Sequence, residues 1–388
     1  MNILFVETHS DNPFDVTYGA VQRTNQLIRA CAQFAHVDVV VFSDKKIKSD
    51  IDNCDVILFN DSIGKPSRIS EFIRKMTILF IDSYKIFGRV NHKVEHKIDS
   101  VVEKGSYDKI VVRYIPDAIF GGLLKYGDRL IVDVDDNPVT IKKYYLGKGP
   151  SIFHNLYRQI IYRKSLKMYE KIIHSVNHCF FSNQDDVIYE KSTYLPNIPY
   201  YSSNIDYCDF SKTKNRIIFV GYIDFLPNFE GLTHFLKLIL PQIRKRISNV
   251  EISIVGKCSS DLLKDWSNDP GVKIRGFVED LNKEYEEARV AIVPIYSGAG
   301  TSIKVLEAFR MKRPCVTTIQ GARGHQGVFQ NNVDFFACES DKDFANKVVE
   351  MLSDQDKNVS ISKNAYSKVE KYYSKEAFYK QVKDTICK

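Results

Sequence analysis

The sequence predicts two α/β domains in tandem, each a doubly wound parallel sheet. Three observations carry that expectation. Short apolar runs alternate with longer amphipathic segments, which is the rhythm of βα units. The rhythm breaks at Tyr194–Phe210 and then restarts. The length of 388 residues suits two domains at roughly 150 residues each.

In the first half, strands are expected at Asn2–Val6, Val37–Phe42, Val56–Phe59, Ile78–Ile81, Ile110–Val112, Leu130–Val134 and Cys179–Ser182. Between the first two, Ala20–Phe34 places Val21, Leu27, Ile28, Cys31 and Phe34 at helical spacing. A long helix is expected from about Ile152 to Val176. Tyr194–Phe210 carries Pro196, Pro199 and several tyrosines without periodicity and reads as the linker. Beyond it, strands are expected at Arg216–Val220, Glu251–Val255, Val272–Ile274, Val290–Val293, Pro314–Thr317 and Asp334–Ala337. Helices are expected at Gly231–Arg246, Asp261–Trp266, Asn282–Glu287, Ile303–Arg310 and Asp341–Leu352, with one or two more in the tail Ser362–Lys388. Ligands of such sheets sit outside the carboxyl ends of the strands.

Hydrophobic residues at 44% and charged residues at 27% match average globular usage, so sizeable cores can form. The net charge of +7 is mild for this length. It suits a diphosphate site or a surface resting on anionic lipid, and nucleic acid is not expected as a partner. The eight cysteines form no C-x-x-C pair and read as reduced, mostly buried thiols. MNILFVETHS has no basic leader and no long apolar run, so it reads as a first strand. No stretch reaches transmembrane length. A cytoplasmic protein is expected, at most peripheral to the inner face of the membrane.

The most informative segment runs from Val293 to Phe309. A strand ends at Pro294, a loop of small residues covers Ser297–Ser302, and a helix then opens. Gly298 and Gly300 let backbone amides approach a ligand, and the helix N-terminus adds partial positive charge. Thr301 and Ser302 can cap the helix or donate hydroxyl hydrogen bonds. Lys304 stands in the first turn, where the macrodipole disfavours a cation unless an anion is also present. Glu307, three residues on, shares its face and suits vicinal hydroxyls such as those of a ribose. The competing reading is an ordinary strand–turn–helix with a solvated Lys–Glu pair. No Walker A loop, dehydrogenase fingerprint, zinc motif or G-x-S-x-G occurs.

GAGTSIKVLEAFRMKRPCVTT resembles the donor-site signature of glycosyltransferase family 4, the retaining GT-B enzymes (glycosyl transferases group 1). Ile217–Gly221 followed by Leu226-Pro-Asn228, then Ile252–Gly256, Gly271–Val278 with Asp280, Tyr285 and Ala288, and Gly321–Gly324 resemble further segments of that family in order. The resemblance covers Arg216 to about Leu352.

It implies a GT-B fold, two Rossmann-like domains facing across a cleft. It also implies transfer of a sugar, with retention, from a nucleoside diphosphate sugar to a glycan or lipid-linked acceptor in surface polysaccharide or glycoconjugate synthesis. Under it, Glu307 binds the donor ribose and Lys304 neutralises charge on the leaving diphosphate. Gly298, Ala299, Gly300, Thr301 and Ser302 line the diphosphate, and Gly276, Phe277 and Val278 meet the base. Gly221 and Asn228 mark the entry to the donor domain. No metal or other cofactor is expected.

The sequence departs from the wider family at three places. Ala299 replaces a glutamate, Tyr222 follows Gly221 where arginine is usual, and Glu230 precedes Gly231 where lysine is usual. Lys304, with Arg275, is left to supply the charge. A non-catalytic GT-B partner subunit and a GT-B nucleotide-sugar epimerase are the alternatives.

The N-terminal half resembles the family less. Tyr18–Leu27 resembles its glycine loop, with Gly19 near donor phosphate or acceptor, or else forms a plain loop-to-helix turn. His9, in the polar loop after the first strand, and Asp135, in Asp133-Val-Asp-Asp136, are the acceptor-side candidates. The latter run also reads as a metal-holding D-x-D of a GT-A enzyme or a phosphatase, or as a solvated strand end. Lys142 to His174 interleaves cations with aromatics and reads either as a membrane- or acceptor-facing helix or as a solvated helix face. The expected domains are 1–203 and 204–360, with 361–388 returning to the first.

Overall fold

The computed structural model describes residues 1–16, 19–60, 68–81, 83–135, 137–199, 203–259, 266–298 and 301–388. The chain divides into two compact units, Met1–Pro196 with Phe378–Lys388, and Asn197–Ala377.

In chain order the first unit holds β1 (Asn2–Glu7), α1 (Gly19–Ala32), β2 (His36–Phe42), β3 (Cys54–Phe59), α2 (Arg68–Phe80), α3 (His92–Lys104), β4 (Lys109–Arg113), α4 (Ile115–Phe120), β5 (Leu130–Asp135), α5 (Pro138–Tyr144), α6 (Ile152–Ser175), β6 (His178–Phe181) and β7 (Ser192–Tyr194). The strands form one sheet ordered β3-β2-β1-β4-β5-β6-β7, and every pairing is parallel. Strands covered on both faces need continuous apolar runs, and ILFV of β1 and IVV of β4 are fully buried. The order reverses between β1 and β4, so their carboxyl ends flank the crevice where such sheets open.

The second unit holds β8 (Arg216–Val220), α7 (Leu226–His234), α8 (Leu240–Arg244), β9 (Glu251–Val255), β10 (Val272–Gly276), α9 (Leu281–Glu286), β11 (Val290–Val293), α10 (Ile303–Arg310), β12 (Cys315–Thr318), β13 (Phe336–Cys338), α11 (Asp341–Ser353) and α12 (Gln355–Tyr372). A π-helical turn, Phe235–Ile239, joins α7 to α8. The sheet is again all parallel, ordered β10-β9-β8-β11-β12-β13, and it reverses between β8 and β11. The final helix, α13 (Lys375–Ile386), groups from Phe378 onward with the first unit, where Gln381 donates to the Tyr194 carbonyl.

Three sequence expectations need correction. Ile78–Ile81 is not a strand: Ile78–Phe80 form the last turn of the amphipathic helix α2, whose Thr77 hydroxyl donates back to the Ile73 carbonyl. A four-residue apolar run has no period long enough to separate the two states. β7 is a short, half-buried edge strand without an apolar signature. The helix expected from Gly231 begins at Leu226, with Pro227 in its first turn. The helix expected at Asp261–Trp266 falls largely outside the described residues.

Two buried guanidiniums tie the first unit together. Asp133, fully buried at the end of β5, accepts from Arg23 Nη2 at 2.6 Å, Arg23 Nε at 2.8 Å and Arg113 Nε at 2.9 Å. Arg113 Nη2 also reaches Asp135 at 2.5 Å, and Arg23 donates to the carbonyls of Leu195 and Pro196. Each charge in this network has an opposite partner and further hydrogen bonds, the condition under which buried ions are tolerated. Removing one member leaves a charge uncompensated. Asp133→Ala is therefore expected to lower unfolding free energy by about 3–5 kcal/mol. Urea denaturation checks this, and a change below about 1 kcal/mol contradicts the assignment of the network as structural.

Candidate functional site

In the second unit, the carboxyl ends of β8 and β11 bring four of the expected site residues together. Gly221 ends the strand turn after β8. A β-carbon there would lie 2.5 Å from Lys304 Cε and 3.3 Å from Asn228 Nδ2, so the missing side chain is what lets Lys304 cross the strand end. Asn228 is buried; its Nδ2 donates to the Tyr222 carbonyl at 2.5 Å, while its Oδ1 finds no partner. Gly231 on α7 packs directly against the Pro294 carbonyl, which seats that helix on the end of β11.

Lys304 lies in the first turn of α10, with Glu307 one turn further. Lys304 is partly covered, and burial pulls its ammonium below the usual lysine value while the Glu307 charge opposes that shift. Glu307 is 8% exposed, and burial pushes its carboxyl up to about 7 against the pull of Lys304. Among the described residues neither side chain has an ion pair or hydrogen bond, and they do not pair with each other. Ser302 caps the helix by backbone alone, and its buried hydroxyl also lacks a partner. Buried polar groups normally find partners. Lys304, Glu307 and Ser302 Oγ at α10, with Asn228 Oδ1 of α7, are therefore unmet valences among the described residues, an arrangement that suits an anionic, hydroxyl-bearing ligand.

The loop before α10 is held from outside by the segment after β12. Gly298 has φ of +113°, a conformation that favours glycine, and its carbonyl accepts from Gln320 Nε2 at 2.6 Å. Thr301 packs on Gly324, its hydroxyl 2.7 Å from where a β-carbon would stand. His325 is buried and bonds the Ser302 carbonyl through Nε2 at 2.9 Å. A carbonyl only accepts, so Nε2 carries the proton; burial depresses the ring to about 4 and keeps it neutral. Gln320 and His325 were not sequence candidates. The one available signal was their place in the short loop that follows a buried strand. Ala299 and Gly300 lie outside the described residues.

The expected base-side residues follow β10. The Gly276 carbonyl accepts from Gly256, and Gly256 packs against the Gly221 carbonyl, so the three glycines step across adjacent strand ends. Two strand spacings, about 10 Å, separate Gly276 from Gly221. Phe277 is 56% exposed with Lys257 5.9 Å from its ring centroid, and Val278 is half-buried. Arg275 is not free to support Lys304: it pairs with Glu284 at 2.8 Å.

The remaining candidates lie in the first unit. Gly19 is the first residue of α1. His9 donates its amide to Glu7 at 2.5 Å and sets its ring edge-on to Tyr114. Asp135 does not present an open carboxylate, because Arg113 binds it, and Asp133 is enclosed by two guanidiniums. The D-x-D reading as a metal site therefore has no available pair of carboxylates among the described residues. Asp136 is not described.

Residues 214–354 match the model of the family described as glycosyl transferases group 1. An uncharacterized 44.6 kDa protein in a cps region of Klebsiella pneumoniae is 25% identical over 261 residues, 64% of this chain and 66% of that protein. Sucrose-phosphate synthase from Thermosynechococcus elongatus superposes with a TM-score of 0.69 at 15% identity, over 99% of this chain and 97% of that one. Anabaena HepE in complex with UDP and glucose superposes with a TM-score of 0.62 at 12% identity, over 99% of both chains. WaaG, a glycosyltransferase involved in lipopolysaccharide biosynthesis, superposes with a TM-score of 0.61 at 12% identity, also over 99% of both. The second unit thus matches the model of the group 1 glycosyltransferases, and the chain has the GT-B fold of these neighbours, with two Rossmann-like domains.

Proposed function

We propose that the chain transfers a glycosyl unit from a nucleoside diphosphate sugar to a glycan or lipid-linked acceptor during surface polysaccharide synthesis, with retention and without a metal. The observation that carries this reading is the pair Lys304 and Glu307 at the β8/β11 switch point, unpartnered among the described residues. The Anabaena and WaaG likenesses and the cps-region relative support a nucleotide-sugar donor and a polysaccharide context.

In this reading each group has a role. The diphosphate lies over the α10 N-terminus, where amides, the Ser302 hydroxyl and the Lys304 ammonium face it. As the glycosidic bond to phosphate lengthens, negative charge grows on the leaving diphosphate. A fixed cation in a water-poor site stabilises that charge more than it does the ground state. Glu307 accepts hydrogen bonds from the ribose hydroxyls, and the base lies toward Gly276 and Phe277. Gln320 and His325 are positioning residues: they hold the Gly298 and Ser302 carbonyls, which fixes the entry to α10. A non-catalytic partner subunit has no need of an uncompensated Lys–Glu pair, whose burial is costly.

Turnover tests these roles. Lys304→Ala is expected to lower kcat by about 100-fold or more, and Glu307→Ala to weaken donor binding by about 10- to 100-fold. Both variants should remain folded by circular dichroism. Normal turnover in both contradicts the site. Sugar transfer by the purified chain, undiminished in chelator, separates this reading from a partner subunit and from metal-dependent chemistry. An epimerised nucleotide sugar formed without acceptor would identify the epimerase.

Proton linkage supplies a second test. Burial pushes the Glu307 carboxyl up to about 7, so in the free protein at pH 6 the protonated form is expected to dominate. Hydroxyl binding requires the carboxylate. Calorimetry at pH 6 with the best-binding of UDP, GDP, ADP and dTDP should therefore show proton release. The release should fade above pH 8 and be smaller in Glu307→Gln, where only the nucleotide's own terminal-phosphate proton is left to leave. Equal release in that variant contradicts the assignment.

The positioning role has its own signature. His325→Ala is expected to raise donor KM and lower kcat, with partial rescue by His325→Gln, whose amide can still donate to the Ser302 carbonyl. Loss of melting temperature in His325→Ala without any kinetic change contradicts positioning.

A further inference from the structure

The first unit carries an apolar and basic face that its own core does not use. On α6, Ile161, Ser165, Met168 and Ile172 point inward. Ile152, Leu156 and Ile160, four residues apart, form an exposed stripe beside Phe153. Ile152 and Phe153 are each 85% exposed at the very start of the helix. Packed α5 adds exposed Ile141 and Tyr145, and a largely apolar cavity of about 270 Å³ opens between the helices, floored by Tyr157 and Ile161 and flanked by Lys142 and Arg158. α2, which packs on α6 through Ile78, brings exposed Ile73, Met76 and Phe80.

The charges on α5 and α6 are nearly all positive. Residues 138–176 contain eight lysines and arginines and a single acid, Glu170. Several cations lie against aromatic rings: Lys148 at 3.3 Å from Tyr144, Arg158 at 5.6 Å from Tyr145 and Lys142 at 4.6 Å from Phe87. Burial and the nearby Arg74 lower Lys142 to about 8, so two cations from different helices meet here. Long cationic side chains around an apolar patch place their stems with the oil and their heads at the level of phosphates.

We propose that this face docks the chain on an anionic lipid surface, with Ile152, Phe153 and Leu156 among the acyl chains and the surrounding cations on the headgroups. A protein partner would need a matched hollow for two side chains that protrude so fully. A fluid bilayer accepts them without one, and its anionic headgroups complement the charge. No described helix is long and apolar enough to cross the membrane, so attachment is interfacial.

Flotation of the full chain with vesicles tests this. Phosphatidylcholine vesicles containing phosphatidylglycerol should bind it at least about tenfold better than phosphatidylcholine alone, and raised salt should weaken the binding. Ile152→Ser with Phe153→Ser should reduce binding about tenfold, as should Lys143→Glu with Lys148→Glu. Melting temperature should stay unchanged in the first pair, because its side chains are exposed. Equal binding to neutral vesicles, or undiminished binding by both variant pairs, overturns the proposal. So does a wild-type dimer that Ile152→Ser with Phe153→Ser makes monomeric while vesicle binding is absent, which would give the face to a second copy.

Discussion

An ammonium and a carboxylate, one helical turn apart and largely withdrawn from water, have no partners among the described residues: that is the constraint on which the second unit is organised. Burying such groups costs free energy unless something compensates them. The surroundings are arranged to keep the cost in place. Gly221 yields its side-chain volume to Lys304. Gly231 brings α7 onto β11, and the segment after β12 grips the loop at Gly298, Thr301 and Ser302. Under the proposed function, a diphosphate and a pentose supply the missing compensation.

The first unit makes the contrast plain. Arg23, Arg113, Asp133 and Asp135 are also charged and also stand at strand ends, yet each is paired and further hydrogen-bonded. Such a network holds structure and has little left to offer a ligand. Burial alone therefore does not mark a working charge; burial without a partner does.

Much of this was legible in the residues. Parallel strands buried on both faces must be apolar throughout, so β1, β2, β8, β9 and β11 announce themselves. β7 does not, because a half-buried edge strand needs no apolar run, and α2 was obscured by the brief run Ile78–Ile81. Lys304 and Glu307 were readable because their logic is local: a cation in a first turn, a carboxylate three residues on. Long-range pairings were not. Nothing near Asp133 in sequence indicates that Arg23, 110 residues away, would neutralise it. Likewise Gln320 and His325 gain meaning only when two loops meet, and Arg275 looked available until the fold gave it to Glu284.

The most direct test is a crystal structure of the chain with its best-binding nucleoside diphosphate. The account predicts Lys304 Nζ at about 3 Å from a phosphate oxygen and Glu307 on both ribose hydroxyls, with the base beside Gly276. A nucleotide bound elsewhere, with Lys304 and Glu307 still unpartnered, would contradict it.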